Sequence, residues 1–233
     1  MEHPFTWHSL LEPLLPYPLD QQHTFTALLI MLLLVALAYL ARRALLRSSD
    51  PVIPGEGLTV RNILELLVEF VAGLSDSIIG RKGRKYVPLF GSFFFFIVTA
   101  NLFGLLPGFS PPTNNLNTTF GLGLISFCAY HYFGVREHGV GYIKQFMGPV
   151  LFLAPFFLIL EGVSHMVRPF SLALRLFGNM FGDHLVVEIF TDLTKVVVPV
   201  AFYMLGTLVS LIQAFVFTLL SVIYVALAIS HEH

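Results

Sequence analysis

Between Ser171 and His184 the chain reads SLALRLFGNMFGDH, placing an arginine, an asparagine, an aspartate and a histidine among Leu, Phe and Gly. Ser171, Arg175, Asn179 and Asp183 are each four residues apart, so on a helix they share one side. Backwards from Arg175, the positions Leu172, Arg168, His165 and Glu161 continue along the helix by steps of three and four. These groups differ in what they can do. A guanidinium keeps its proton at any working pH, so Arg175 is a fixed positive charge that attracts a carboxylate and repels protons. Glu161, Asp183 and His184 can gain and lose protons, and an imidazole does so near neutral pH. Protonatable groups on both sides of a fixed cation suit two water-lined proton half-paths separated by an electrostatic plug. A structural ion pair of Arg175 with Asp183 or Glu161 is the competing reading, and Glu161 and Arg168 could instead reach out to headgroup depth.

The surroundings of this polar line are those of a membrane protein. Hydrophobic residues make up 56% of the chain and charged residues 12%, with a mean hydropathy of +0.79; soluble domains carry about 25% charged residues. A charge at bilayer depth costs at least about 2.5–3.5 kcal/mol, so an intramembrane arginine points to an ion pathway. From Glu161 to Asp183 is about 33 Å of helix, close to the thickness of the hydrocarbon core. The near-zero net charge gives no reason to expect nucleic-acid binding. The single Cys128 excludes an internal disulfide and any Cys-based metal cluster. The terminal His231 and His233 read as a solvated end rather than a metal site. With Glu2, Glu12 and Asp20 and no Lys or Arg, the first 23 residues do not read as a cleavable signal peptide.

The elements that must position the line follow from the apolar runs. Residues 24–41 form a first spanning helix, and Arg42, Arg43 and Arg47 behind it put residues 1–23 outside by the positive-inside rule. A Pro/Gly linker over 48–57 leads to residues 59–79, an amphipathic helix lying at the interface or against a partner. Its polar face is Asn62, Glu65, Glu69, Gly73 and Asp76, and its apolar face includes Ile63, Leu66, Leu67, Phe70, Val71 and Leu74. The basic cluster Arg81–Lys85 keeps this region cytoplasmic. Residues 87–106 cross outward, with Asn101 inside the span and Phe93 to Phe96 expected to face lipid; residues 120–135 return. Residues 149–187 carry the polar line, with a kink expected at Pro169. A short polar turn around Asp192–Lys195 leads into residues 196–230, a run of roughly 35 residues without a charge. At about 52 Å, that run exceeds a 30 Å core, so it must tilt, bend or emerge.

The fold expected is therefore an all-α polytopic membrane domain. It has about five membrane-embedded helices plus one amphipathic interfacial helix, the last two long and strongly tilted as a hairpin. The final helix carries a matching face of Gly206, Ser210, Gln213, Phe217, Ser221 and Tyr224, with Gln213 expected beside the Arg175 turn. Gly178 and Gly182 form a small-xxx-small pair that lets another helix approach.

The stretches LILEGVSHMVRPFSLALRLFGNMFGDH and LIQAFVFTLLSVIYVALAISHEH resemble the subunit a family of F-type ATP synthases. NLFGLLPG, NNLNTT and GPVLF fall in that family's order along the chain. The resemblance implies a stator subunit beside a rotating ring of c subunits, a peripheral stalk of b subunits, protons as the transported ion, and no cofactor or metal. It also implies a bacterial inner membrane as the location, with the N-terminus outside and the C-terminus cytoplasmic. Arg175 matches the family's essential arginine facing the ring carboxylate. Asn179, Asp183, His184 and Gln213 match the outer half-channel, and Glu161 and Ser171 the inner one. Many members carry an acid at the position of His184 and a histidine at that of Gly206. Here the acid and imidazole sit together on one helix, and Gly206 leaves room for them. A secondary ion-coupled transporter is the rival reading, although such a chain would normally show repeated halves.

Overall fold

The computed structural model describes residues 22–47, 59–106, 109–142, 154–194 and 197–230. Six α-helices account for most of them: α1 Gln22–Arg47, α2 Val60–Ile79, α3 Val87–Gly104, α4 Leu116–His138, α5 Ala154–Thr194 and α6 Val197–Ile229. No strand occurs among the described residues. The expected N-terminal segment before Gln22, the linker over 48–57, the start of the fifth helix over 149–153 and the end of the turn at Lys195 lie outside the described residues.

Local sequence explains several helix ends. Thr59 caps α2, its side chain accepting from the Asn62 N–H at 3.3 Å. Gly80, at φ +80°, closes the helix with its N–H on the Asp76 carbonyl, a conformation that suits a residue without Cβ. Asn115 caps α4 in the same way as Thr59, through the Asn117 N–H. α5 continues through the buried Pro169 instead of ending there. At 41 and 33 residues, α5 and α6 are about 60 and 50 Å long and exceed a bilayer core, as their apolar runs require.

α6 sits at the centre and touches α2, α3, α4 and α5. Contacts between α5 and α6 pair Phe190 with Phe202, Asp183 with Gly206 and Asn179 with Gln213, which is an antiparallel hairpin. Phe93 meets Phe217 and Asn101 meets Ser210, so α3 also runs antiparallel to α6. Ser126 meets Ser221 and Tyr130 meets Tyr224, so α4 runs with α6. The directions thus alternate from α3 to α6, as successive crossings demand. Four helical stretches are long and apolar enough to cross a membrane: His23–Arg47, Arg81–Gly104, Phe156–Thr191 and Val198–Ile229. α4 falls outside that set because it carries polar residues, and Thr119, Ser126 and Tyr130 are turned into the bundle.

One expectation is corrected. Phe93 and Phe94 are buried, and only Phe95 and Phe96 are partly open. Phe93 packs edge-on against Phe217 with ring centroids 5.5 Å apart, and Phe94 lies 5.7 Å from Phe70 of α2. An all-apolar run has no periodicity to say which rings face lipid, and α2 and α6 cover two of them. Where helices come closest, glycine makes the room. A Cβ on Gly123 would stand 2.7 Å from the Pro169 carbonyl oxygen, so α4 and α5 touch through backbone.

Candidate functional site

Arg175 lies near the middle of α5 on an exposed side of the helix. Its Nη2 donates to Ser171 Oγ, one turn back, at 3.5 Å. Among the described residues it makes no ion pair: Glu161 is taken by His165, and Asp183 forms no salt bridge. Gly178 and Gly182 have nothing within 4 Å of a notional Cβ. Their small surfaces therefore give no room to a helix of this chain and leave an open face beside the guanidinium.

Towards the C-terminal end of α5, Asn179 donates to Gln213 Oε1 at 2.6 Å, tying the two long helices together. Gln213 thus meets the turn after Arg175 rather than Arg175 itself. One turn further, Asp183 faces Gly206, whose notional Cβ would stand 3.9 Å from Asp183 Oδ2 and 3.2 Å from Leu105 Cδ2. His184 lies near the Gly104 backbone at the end of α3 and near Glu188. Asp183 Oδ2, His184 Nε2 and Ser210 Oγ are all buried with no hydrogen-bond partner among the described residues. Buried polar atoms rarely stay unpartnered, so these three groups have hydrogen-bonding capacity to offer.

A second network lies beside it that the sequence did not disclose. Asn101 is fully buried on α3. Its Oδ1 accepts from Thr113 Oγ1 at 2.8 Å, and its Nδ2 donates to the Ser210 carbonyl at 3.4 Å. The only forewarning is an amide within an apolar span, which needs partners.

Towards the N-terminal end of α5 the polar groups reappear. His165 Nε2 lies 3.1 Å from Glu161 Oε1, and its Nδ1 lies 2.9 Å from the hydroxyl of Tyr130 on α4. The Arg168 guanidinium sits over the Tyr224 ring at 5.1 Å and the Tyr130 ring at 5.8 Å, held by aromatic faces rather than reaching outward. The Tyr142 hydroxyl meets His131 Nδ1 at 2.8 Å. Burial pushes the Tyr142 phenol up, so it stays a donor. Between the two polar regions Leu172, Ala173, Leu176, Ala214 and Phe217 are buried in the bundle, as is Thr218 on α6.

The family model described as ATP synthase A chain matches residues 24–226. The chain belongs to that family. ATP synthase subunit a of Bdellovibrio bacteriovorus is 50% identical over 200 residues, spanning 85% of this chain and 87% of the relative. Subunit a 1 of Syntrophotalea carbinolica is 47% identical over 211 residues, 91% of this chain and 87% of the relative. Subunit a 1 of Pelobacter propionicus is 42% identical across the full length of both chains. As an ATP synthase A chain it is a multi-pass subunit of the proton-translocating membrane sector, with no catalytic activity of its own. Membership also decides between the two sequence readings, and the transporter is set aside. The ATP synthase A chain match runs through both polar regions and the arginine between them.

Proposed function

We propose that this chain forms two offset aqueous half-channels against a rotating c-subunit ring, and that Arg175 keeps them apart. The supporting observation is an exposed, unpaired guanidinium at mid-helix, on an open small-residue face between two sets of protonatable side chains. A proton enters from outside past Asp183, His184, Asn179 and Gln213 and neutralises a ring carboxylate. After rotation it leaves to the cytoplasm past Ser171 and Glu161. Arg175 attracts each carboxylate as it arrives deprotonated and, as a cation that does not itself titrate, repels protons taking the direct route. Gly178 and Gly182 leave space for the ring helix to come close.

Orientation rests on the cationic clusters. Arg42, Arg43 and Arg47 at the end of α1, and Arg81 to Lys85 after α2, place those ends in the cytoplasm, with the N-terminus outside and the C-terminus inside. The membrane is the bacterial inner membrane, and α2 faces the peripheral stalk of b subunits. The deciding experiment is Arg175→Ala in inverted vesicles holding the whole complex. ATP-driven proton pumping should be lost while the chain is still inserted, and passive leak through the membrane sector should rise. Arg175→Lys should fail as well, since an ammonium lacks the planar fork that meets a carboxylate on two oxygens. Coupled pumping at the parental rate in the Ala variant would overturn the assignment.

A further inference from the structure

Glu161 does not stand alone at its end of the path. Its side chain is 44% exposed, and one oxygen is held by His165, whose own side chain is only 12% exposed. With the ring hydrogen on Nε2, His165 donates to Glu161. In the neutral ring Nδ1 is then a lone pair, and the Tyr130 hydroxyl donates to it. Tyr130 is itself immobilised. It is 1% exposed, and it packs against His131, Phe127 and Tyr224 under the Arg168 guanidinium. The result is a buried arm reaching from α4 through an imidazole to an open carboxylate on α5. A base held by a third group is the arrangement that fixes the direction and tautomer of a proton-handling residue.

We propose that His165 is a positioning residue for proton release: with Tyr130 behind it, it aims the Glu161 carboxylate at the ring and holds its free oxygen ready to take the proton. This inference rests on the reading of Glu161 as part of the inner half-channel. In its absence the carboxylate, on a flexible side chain at an open edge, samples many rotamers. Proton capture then slows without any change in the fold.

The test is passive proton conduction through vesicles holding the complete membrane sector, with Glu161→Gln, His165→Ala and the double variant compared. His165→Ala should slow conduction by about tenfold, the order of one lost hydrogen bond to a charged group. His165→Gln should keep most of the rate, because its amide can donate to Glu161 and accept from Tyr130. In the Glu161→Gln background, His165→Ala should cost nothing further, since the residue acts through the carboxylate. A purely structural histidine would slow conduction by the same factor in both backgrounds, and that result overturns the proposal. So does a parental rate in His165→Ala. If Glu161→Gln alone conducts normally, it is the half-channel reading of Glu161 that falls, and the proposal with it. Should the Ala variant not accumulate, Tyr130→Phe, which removes one oxygen from a packed ring, replaces it in the cycle under the same criterion.

Discussion

Asp183 and His184 are neighbours in sequence but look in different directions, about 100° apart on the helix. Asp183 faces Gly206 across the hairpin, and His184 lies near the end of α3 at Gly104. Room at position 206 is therefore room for the aspartate, with Leu105 already against it at 3.2 Å. Gly206→His should crowd Leu105 and Asp183 and reduce proton flux on its own. His184→Glu removes the imidazole beside Asp183 and should also reduce it. Made together, they put a second acid on α5 opposite an imidazole on α6, and flux in membrane vesicles should exceed that of either single variant. The coupling should be about 0.5–3 kcal/mol, as for residues sharing one network; independent, additive losses would separate the two positions. The polar line of α5 was legible because charged and amide groups stand out in an apolar helix, and four-residue spacing gives their common side. Gln213 and Gly206 were expected beside that line and lie against Asn179 and Asp183, but other partners were not legible. Tyr130 lies 35 residues from His165, and Ser210 lies 109 from Asn101, distances over which periodicity carries no information.

At the scale of elements, the helices, their order and their alternating directions followed from the apolar runs, because a spanning segment must satisfy its backbone internally. Which faces pack against one another did not follow. In lipid the apolar residues of a helix gain little by turning inward, so contact faces are chosen by shape and small residues. The Phe93–Phe94 pair and the Gly123–Pro169 crossing are both of this kind. Gly123 offers a direct check. An Ala there would meet a backbone carbonyl oxygen at 2.7 Å, which cannot swing aside as a side chain could. Gly123→Ala should force α4 and α5 apart and cost about 1–3 kcal/mol. It should show as a lower melting temperature of the detergent-solubilised complex and as less chain retained in it. Melting unchanged from the parent would mean that α4 and α5 are not held in backbone contact in the membrane.

For the molecule as a whole, α2 fixes which parts meet lipid, water and the bundle. It has three faces rather than the two its sequence pattern suggests. Val71 and Ser75 are fully buried against the bundle. Ile63, Leu66 and Phe70 form a stripe that stays 45–67% exposed. On the far side, Asn62, Glu65, Glu69 and Asp76 repeat at helical spacing, Glu65 paired with Arg61 and Asp76 with Arg84. The stripe is suited to the acyl boundary and the acidic side to water or a stalk subunit, and we propose that the helix lies flat where the two meet. Lys85 reaches Glu137 at 3.4 Å, which ties the turn after α2 to the end of α4 on the same side of the membrane. Cysteine placement tests this, once the exposed Cys128 has been replaced by serine. Glu69→Cys should react with a membrane-impermeant maleimide added to the cytoplasmic side. Leu66→Cys, one face round, should react only with a membrane-permeable reagent. If the assembled complex shields Glu69→Cys while the stalk-free membrane sector exposes it, the acidic side is the stalk contact. Labelling of Glu69→Cys from the outer side would invert the orientation that the cationic clusters assign, and with it the direction of the two half-channels.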